Sequence, residues 1–141
     1  PVYGSLQFEK QETTMSNNLQ LLIGRVLLSI IFIMAGVSKL GGVAGTAGYM
    51  ASLGIPLPGL TVWLVIALEI VGGIAILLGF FTRYAAWALA AFCVASGYLG
   101  HFQPEDQMQM TSFMKNLAMA GGFLALAAAG AGSFSVDARR K

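Results

Sequence analysis

The feature that most constrains this chain is the density of its apolar runs. Four stretches of about 20 residues carry almost no charge, at roughly 19–40, 60–81, 84–102 and 111–131. A bilayer core offers no water to stray backbone N–H and C=O groups, so each run is expected to be a helix. The connections are short, which predicts an all-α, integral-membrane four-helix bundle. Composition agrees: 57% of the residues are hydrophobic and only 10% charged, where a soluble domain carries about 25% charged. Eighteen glycines against four prolines suit helices that pack closely in lipid.

Other classes fall away on the same grounds. Eight Lys and Arg against six Asp and Glu give a net charge of +2, too small and too scattered for a phosphate-binding footprint, so nucleic acid is not an expected partner. The first apolar run is longer than the core of a secretory leader, and no small-residue cleavage site follows it. The single cysteine, Cys93, excludes an intramolecular disulfide, and the single histidine, His101, excludes bis-histidine haem ligation. His101 with Met108, Met110 and Met114 offers soft ligand types suited to Cu(I), but in a chain with seven methionines this is no pattern, and no metal site is expected.

Charge near the span ends sets the expected orientation. Four spans place both termini and the Thr82-Arg83 link on one side, with Lys10, Arg25, Arg83, Arg139, Arg140 and Lys141; the other side holds Lys39 and Lys115. The positive-inside rule makes the richer side, and so both termini, cytoplasmic. The outer connection at 41–59 contains Tyr49 to Pro58, which reads either as a short amphipathic segment at the interface, ended by Pro56 and Pro58, or as an ordered loop. Met15-Ser16-Asn17-Asn18 resembles a natural start, so residues 1–14 read as an upstream extension or a cloning remnant and 15–141 as one domain.

Polar groups within the spans point to a site, because a charge in lipid is costly unless it has a partner. Arg25, Ser29, Phe32, Gly36 and Lys39 share one face of the first span. Glu69 lies nine residues into the second, roughly 13 Å deep, with Gly72, Gly73 and Ile76 on its face. Ala86, Ala90, Cys93, Gly97 and His101 line the third, with Ser96 and Tyr98 in its outer half. Lys115 and Asn116 open the fourth. The depths suggest Lys115 as the partner of Glu69, with Arg25 approaching from below and Lys39, His101 and Asn116 at the mouth. The expectation is a polar pocket opening outward and floored by Glu69.

Taken together these residues resemble the DoxX family. Arg25 followed by Phe32-Ile33-Met34-Ala35-Gly36-Val37-Ser38-Lys39-Leu40 is similar to its F-x-x-x-G-x-x-K-L signature. The likeness continues through Tyr49 to Gly54 with Pro56 and Pro58, Glu69, the Leu78 to Arg83 turn, and Phe113 to Asn116. The resemblance implies a small bacterial inner-membrane protein with four helices. It also implies association with quinone-linked oxidoreductases or redox-stress complexes.

Two functions follow as expectations. The first is a redox-linked subunit that binds a quinone or similar amphiphile through Glu69, Lys115, His101, Asn116, Arg25, Lys39 and Tyr98, accessory to an oxidoreductase whose other subunits carry the electrons. The alternative is a non-enzymatic scaffold or assembly subunit whose ion pairs only hold the bundle together. A proton-coupled carrier is disfavoured by the absence of an inverted repeat. Expected partners are lipid and other membrane or redox proteins; a second copy of the chain is an equal use of the small-residue faces.

Overall fold

The computed structural model describes residues 2–140. They form six helices: α1 (Val2–Leu40), α2 (Val43–Ser52), α3 (Pro58–Leu78), α4 (Thr82–His101), α5 (Gln107–Ala129) and the short α6 (Val136–Arg139). There is no strand among the described residues. α1, α3 and α5 are long and apolar enough to cross a membrane. α4 has 20 residues, about 30 Å of helix and so a bilayer's hydrocarbon thickness. α1 has 39 residues, roughly twice that length, and continues without a break through Met15.

The element boundaries follow local chemistry. The second span stops at Leu78, short of the expected Phe81, because Gly79 adopts a left-handed conformation (φ 67°) and returns its N–H to the last turn. The 41–59 connection does contain a helix, α2, but the prolines do not end it. Gly54 (φ 77°) follows its last turn, and Pro58 instead opens α3, where a missing N–H costs nothing. Asp106 caps α5 through the N–H groups of Met108 and Gln109, so that helix starts four residues before the expected 111.

The bundle is built from two tight antiparallel pairs, α1 with α3 and α4 with α5, joined more loosely through α3–α4 and α1–α5. Gly36 and Gly73 set the first pair. A Cβ at Gly36 would lie 2.5 Å from Ile70 Cγ1, and one at Gly73 would lie 2.8 Å from Ile33 Cγ1 and 3.2 Å from the Ile33 backbone nitrogen. The two helices therefore touch nearly backbone to backbone. Gly73→Ala is expected to lower stability by about 1–3 kcal/mol through overpacking, read as a fall in melting temperature in detergent. Gly121→Ala, where an added methyl meets open space, is expected to change it little. Phe32 joins the two pairs, meeting Phe123 edge-on at 5.3 Å and Phe92 at 6.4 Å.

Lipid-facing character is visible on the outside. Leu27, Met34, Leu64 and Val71 are exposed although large and apolar. Exposed Trp63 and Tyr98 lie toward one end of the bundle, and Tyr84 and Trp87 toward the other, the two-belt placement of amphipathic aromatics at membrane interfaces.

At the end carrying the termini, the chain after α5 closes over the α3–α4 turn. Asp137 accepts hydrogen bonds from the N–H groups of Phe81 (2.8 Å) and Thr82 (2.9 Å), capping α4 from a distant part of the sequence. Its own N–H returns to the Gly79 carbonyl at 2.8 Å, and the Arg140 guanidinium sits 4.0 Å over the Phe81 ring. Partial burial by itself would raise the Asp137 pKa, but the Thr82 and Phe81 hydrogen bonds and nearby Arg140 outweigh it and hold the carboxyl below its ordinary 3.8. The stability this provides is complete above the ordinary value and is lost as pH falls through the lowered one. Melting curves should accordingly fall below about pH 4, and Asp137→Asn should lose about 1 kcal/mol at neutral pH and show a flatter acid limb.

Candidate functional site

Between the two helix pairs, in the half of the bundle away from the termini, lies a cavity of about 480 Å³. Its existence follows from the pairing: α1–α3 and α4–α5 are each zipped by small residues, and the space left between them is not filled. α1 contributes Ile31, Ala35 and Lys39, α3 contributes Val65 and Glu69, α4 contributes Ser96 and His101, and α5 contributes Asn116 and Met119. α2 lies across it with Thr46, Tyr49 and Met50, followed by Leu53 just past its end. This short helix is held on α3 by a cluster of Met50, Val62 and Ile66, packed with Val43, Ala47 and Ile55. It reaches α4 through the Tyr49 hydroxyl, which donates to the Gly100 carbonyl at 3.3 Å.

The charged centre is an ion pair. Lys39 Nζ stands 2.8 Å from Glu69 Oε1 and 3.1 Å from Oε2. The carboxylate side chain is 2% exposed and the lysine 27%, so the acid is sealed and the ammonium borders the cavity. The close approach at Gly36 and Gly73 places these groups together. Lys39 lies one turn beyond Gly36, and Glu69 one turn before Gly73, on antiparallel neighbours.

This corrects the expected partner. Lys115 is exposed on α5 and does not line the cavity. Depth along the bundle axis leaves rotation about α5 free, and Lys115 is turned outward. Asn116 occupies the inward direction instead. Its amide nitrogen donates to the Cys93 carbonyl (3.0 Å) and Ser96 Oγ (3.3 Å), leaving the amide oxygen without a use in α4.

Arg25 is also displaced from its expected place. It is fully buried, but about two helical turns from Glu69 toward the termini. Its guanidinium donates to the carbonyls of Leu77 (3.1 Å), Ile76 (3.5 Å) and Phe134. It serves the carbonyl end of α3, where a cation is favourable, and ties the segment after α5 to it. Tyr98 points out of the bundle, 62% exposed and stacked on Phe102 at 5.3 Å. It belongs to the aromatic belt and not to the cavity. His101 does border the cavity, with Nδ1 2.8 Å from Gln109 Oε1.

Four of the seven residues singled out in the sequence, Lys39, Glu69, His101 and Asn116, therefore meet in one cavity. Tyr49, Thr61, Ser96 and the apolar wall around Phe92 complete it. The Tyr49 contact was not legible in advance, because nothing in the spacing says how α2 lies. Among the described residues no group of three or more His, Cys, Asp or Glu side chains is placed to hold a metal ion. The arrangement offers an ammonium donor, an amide oxygen, an imidazole and a few hydroxyls around a largely apolar space. That combination suits a molecule with a small polar head and a large apolar remainder.

Comparison with known proteins agrees with the fold and the setting. The DoxX family model matches residues 20–102. Inner membrane protein YqjF of Escherichia coli (strain K12) is 45% identical over 116 residues, covering 82% of this chain and 88% of the relative. Inner membrane protein YphA of the same organism is 40% identical over 124 residues, covering 84% and 89%. CatD of Bacillus subtilis (strain 168), named provisionally as an oxidoreductase, is 30% identical over 114 residues, covering 74% and 82%. No solved structure matches the chain. The family match spans more than half of the sequence, including Arg25, Gly36, Lys39, Glu69 and Gly73, and the chain is accordingly a member of the DoxX family and a multi-pass protein of the inner membrane.

Proposed function

We propose that this protein binds a quinone or similar amphiphile in the cavity between its helix pairs, as an accessory subunit of a redox system in the inner membrane. The observation that carries the reading is the Lys39–Glu69 pair. A sealed carboxylate holds an ammonium at the wall of an apolar cavity of about 480 Å³, a volume suited to one small-molecule head group. Lys39 has a third N–H beyond its contacts with Glu69, which suits it to donate to a carbonyl oxygen. Asn116 Oδ1 suits a donor on the same head. The provisional name of CatD supports a redox connection. One histidine and one cysteine in the whole chain leave electron transfer to partner subunits. With the termini cytoplasmic, as the charge distribution favours, the cavity lies in the outer half of the membrane.

The test is extraction. Protein purified from native membranes in mild detergent is expected to release quinone into organic solvent in near-stoichiometric amount, and Glu69→Gln and Lys39→Met are expected to release much less. An empty wild-type extract, together with unchanged quinone affinity in both variants, refutes the reading.

A second reading, a non-enzymatic scaffold subunit, is favoured by one specific observation. The same ion pair spans the glycine-lined α1–α3 crossing, where it also fixes the register of α1 against α3. It predicts that the Glu69→Gln and Lys39→Met double variant keeps its protein partners in a pull-down and loses nothing measurable in a redox assay.

A further inference from the structure

The route into the cavity can be read from how its walls are exposed. The polar groups around it are withdrawn: Glu69 is buried, and Lys39, Ser96, His101 and Asn116 are half-buried. The lining residues that reach the outside are chiefly apolar. Ile31 is 51% exposed and Leu99 50%, and Ala95 is also exposed. Tyr49, whose hydroxyl is tied to Gly100, is the amphipathic exception. A mouth meant for water would show the opposite order, with polar groups at the rim.

The two loose seams of the bundle differ. The α3–α4 seam, which carries Ala95 and Leu99, is spanned by α2, seated on α3 through Met50, Val62 and Ile66 and tied to α4 through Tyr49. The α1–α5 seam has no such strap at cavity level; its ties lie at the far end, just beyond α5, where the Ser133 N–H donates to Asn18 Oδ1 at 3.0 Å and Arg25 donates to the Phe134 carbonyl. Among the described residues no hydrogen bond or ion pair crosses from α1 to α5. The seam is closed lower down, where Leu28 packs on Gly122. At cavity level Ile31 and Ala35 of α1 and Asn116 and Met119 of α5 border the same space. α1 and α5 are also the most sparsely packed adjacent pair in the ring.

We infer that the cavity is loaded sideways from the bilayer through the α1–α5 seam, by an amphiphile whose apolar tail stays between Ile31, Ala35 and Met119 while its head meets Lys39 and Asn116. This rests on the reading of the cavity as an amphiphile site and adds its route and its selectivity. Ile31, Ala35 and Met119 become specificity-determining residues, selecting for a tail and not for a head. Lipid-soluble molecules enter without crossing the interface. Water-soluble ones of the same head chemistry gain nothing from the seam.

The experiment compares two probes on protein in lipid nanodiscs: a benzoquinone bearing a ten-carbon tail and the same benzoquinone without one. Ile31→Trp and Met119→Trp are expected to weaken the tailed probe about tenfold and the tailless one about twofold at most. Val71→Trp, on the lipid face of α3 and away from the cavity, should affect neither. Melting curves establish that each variant is folded. Should a tryptophan variant fail that check, Ala35→Leu replaces it with a smaller obstruction. Equal effects on both probes overturn the sideways route while leaving the amphiphile site standing. Selective loss of the tailed probe in Leu99→Trp, and not in Ile31→Trp, overturns the choice of seam. Failure of wild type to bind either probe refutes the quinone reading itself, and the route with it.

Discussion

Replacing Arg25 with methionine is expected to lower stability by about 3 kcal/mol or more, one of the two largest single-residue effects in the molecule. The side chain is fully buried, and its methylenes pack whichever head group they carry. The loss comes from the carbonyls it leaves behind. Leu77 is in the last turn of α3, where a carbonyl has no further helical N–H to accept from, Ile76 beside it keeps only the Gly79 N–H at 3.2 Å, and Phe134 lies in the segment that folds back over the α3–α4 turn. A cation there also answers the negative end of the α3 dipole. Gly79 belongs to the same joint: a Cβ at that position would collide with the Arg25 guanidinium and with Ser135. Arg25→Lys keeps the charge but loses the planar fork that serves several oxygens at once, so it should recover only part of the stability. Thermal unfolding in detergent, followed by circular dichroism, gives the comparison. A near-neutral Arg25→Met would mean that water replaces the guanidinium and that the joint is open.

The second large effect is at Lys39–Glu69. Lys39→Met leaves a sealed carboxylate in an apolar bundle without its cation, and the expected cost is about 2–3 kcal/mol. It falls below the roughly 3–5 kcal/mol of fully buried pairs because the lysine is 27% exposed and screened in part. Glu69→Gln should cost less than Lys39→Met, since the ammonium can turn outward and snorkel while the carboxylate cannot move. The double variant is expected to lie closer to wild type than the sum of the two single changes, and that difference is the coupling of the pair. Lys115→Met is the matched comparison: an exposed lysine on α5 with no ion pair among the described residues should give a change within about 0.5 kcal/mol. If Lys115→Met were the damaging change and Lys39→Met the silent one, the pairing in the structure would be wrong.

These two sites show where reasoning from sequence reaches and where it stops. Arg25, Lys39 and Glu69 all stand out as charges in apolar helices. Glu69 is expected to turn inward because it is too deep to snorkel, whereas Lys39 reads first as an interfacial anchor and Arg25 equally as an anchor or an internal partner; in the structure all three turn inward. Their partners were not legible. Glu69 has a lysine at the outer end of α1 and another near the outer end of α5 within comparable axial reach, and the choice depends on which helix lies against α3. The glycines carry that information in retrospect. Gly36 is three residues before Lys39 and Gly73 four after Glu69, so the contact that brings α1 and α3 together also brings the charges together. The Arg25 partners were hidden for a different reason. They are backbone carbonyls, which every residue has and no sequence pattern marks.

The amino-acid sequence by itself determined the class of object: an all-helical membrane protein with four long helices, two at least kept close by glycine, and with charged groups that must be sheltered. Apolar run length and the cost of unpaired backbone in lipid suffice for that, and both are properties of the chain before it folds. Only the tertiary structure decided that the helices zip as two pairs with an unfilled space between them, that α2 straps one seam and leaves the other unstrapped, and that Lys39, not Lys115, faces Glu69. Those outcomes depend on rotation about each helix axis and on contacts between residues dozens of positions apart. Hydrophobicity and spacing along one strand of sequence leave that angle free.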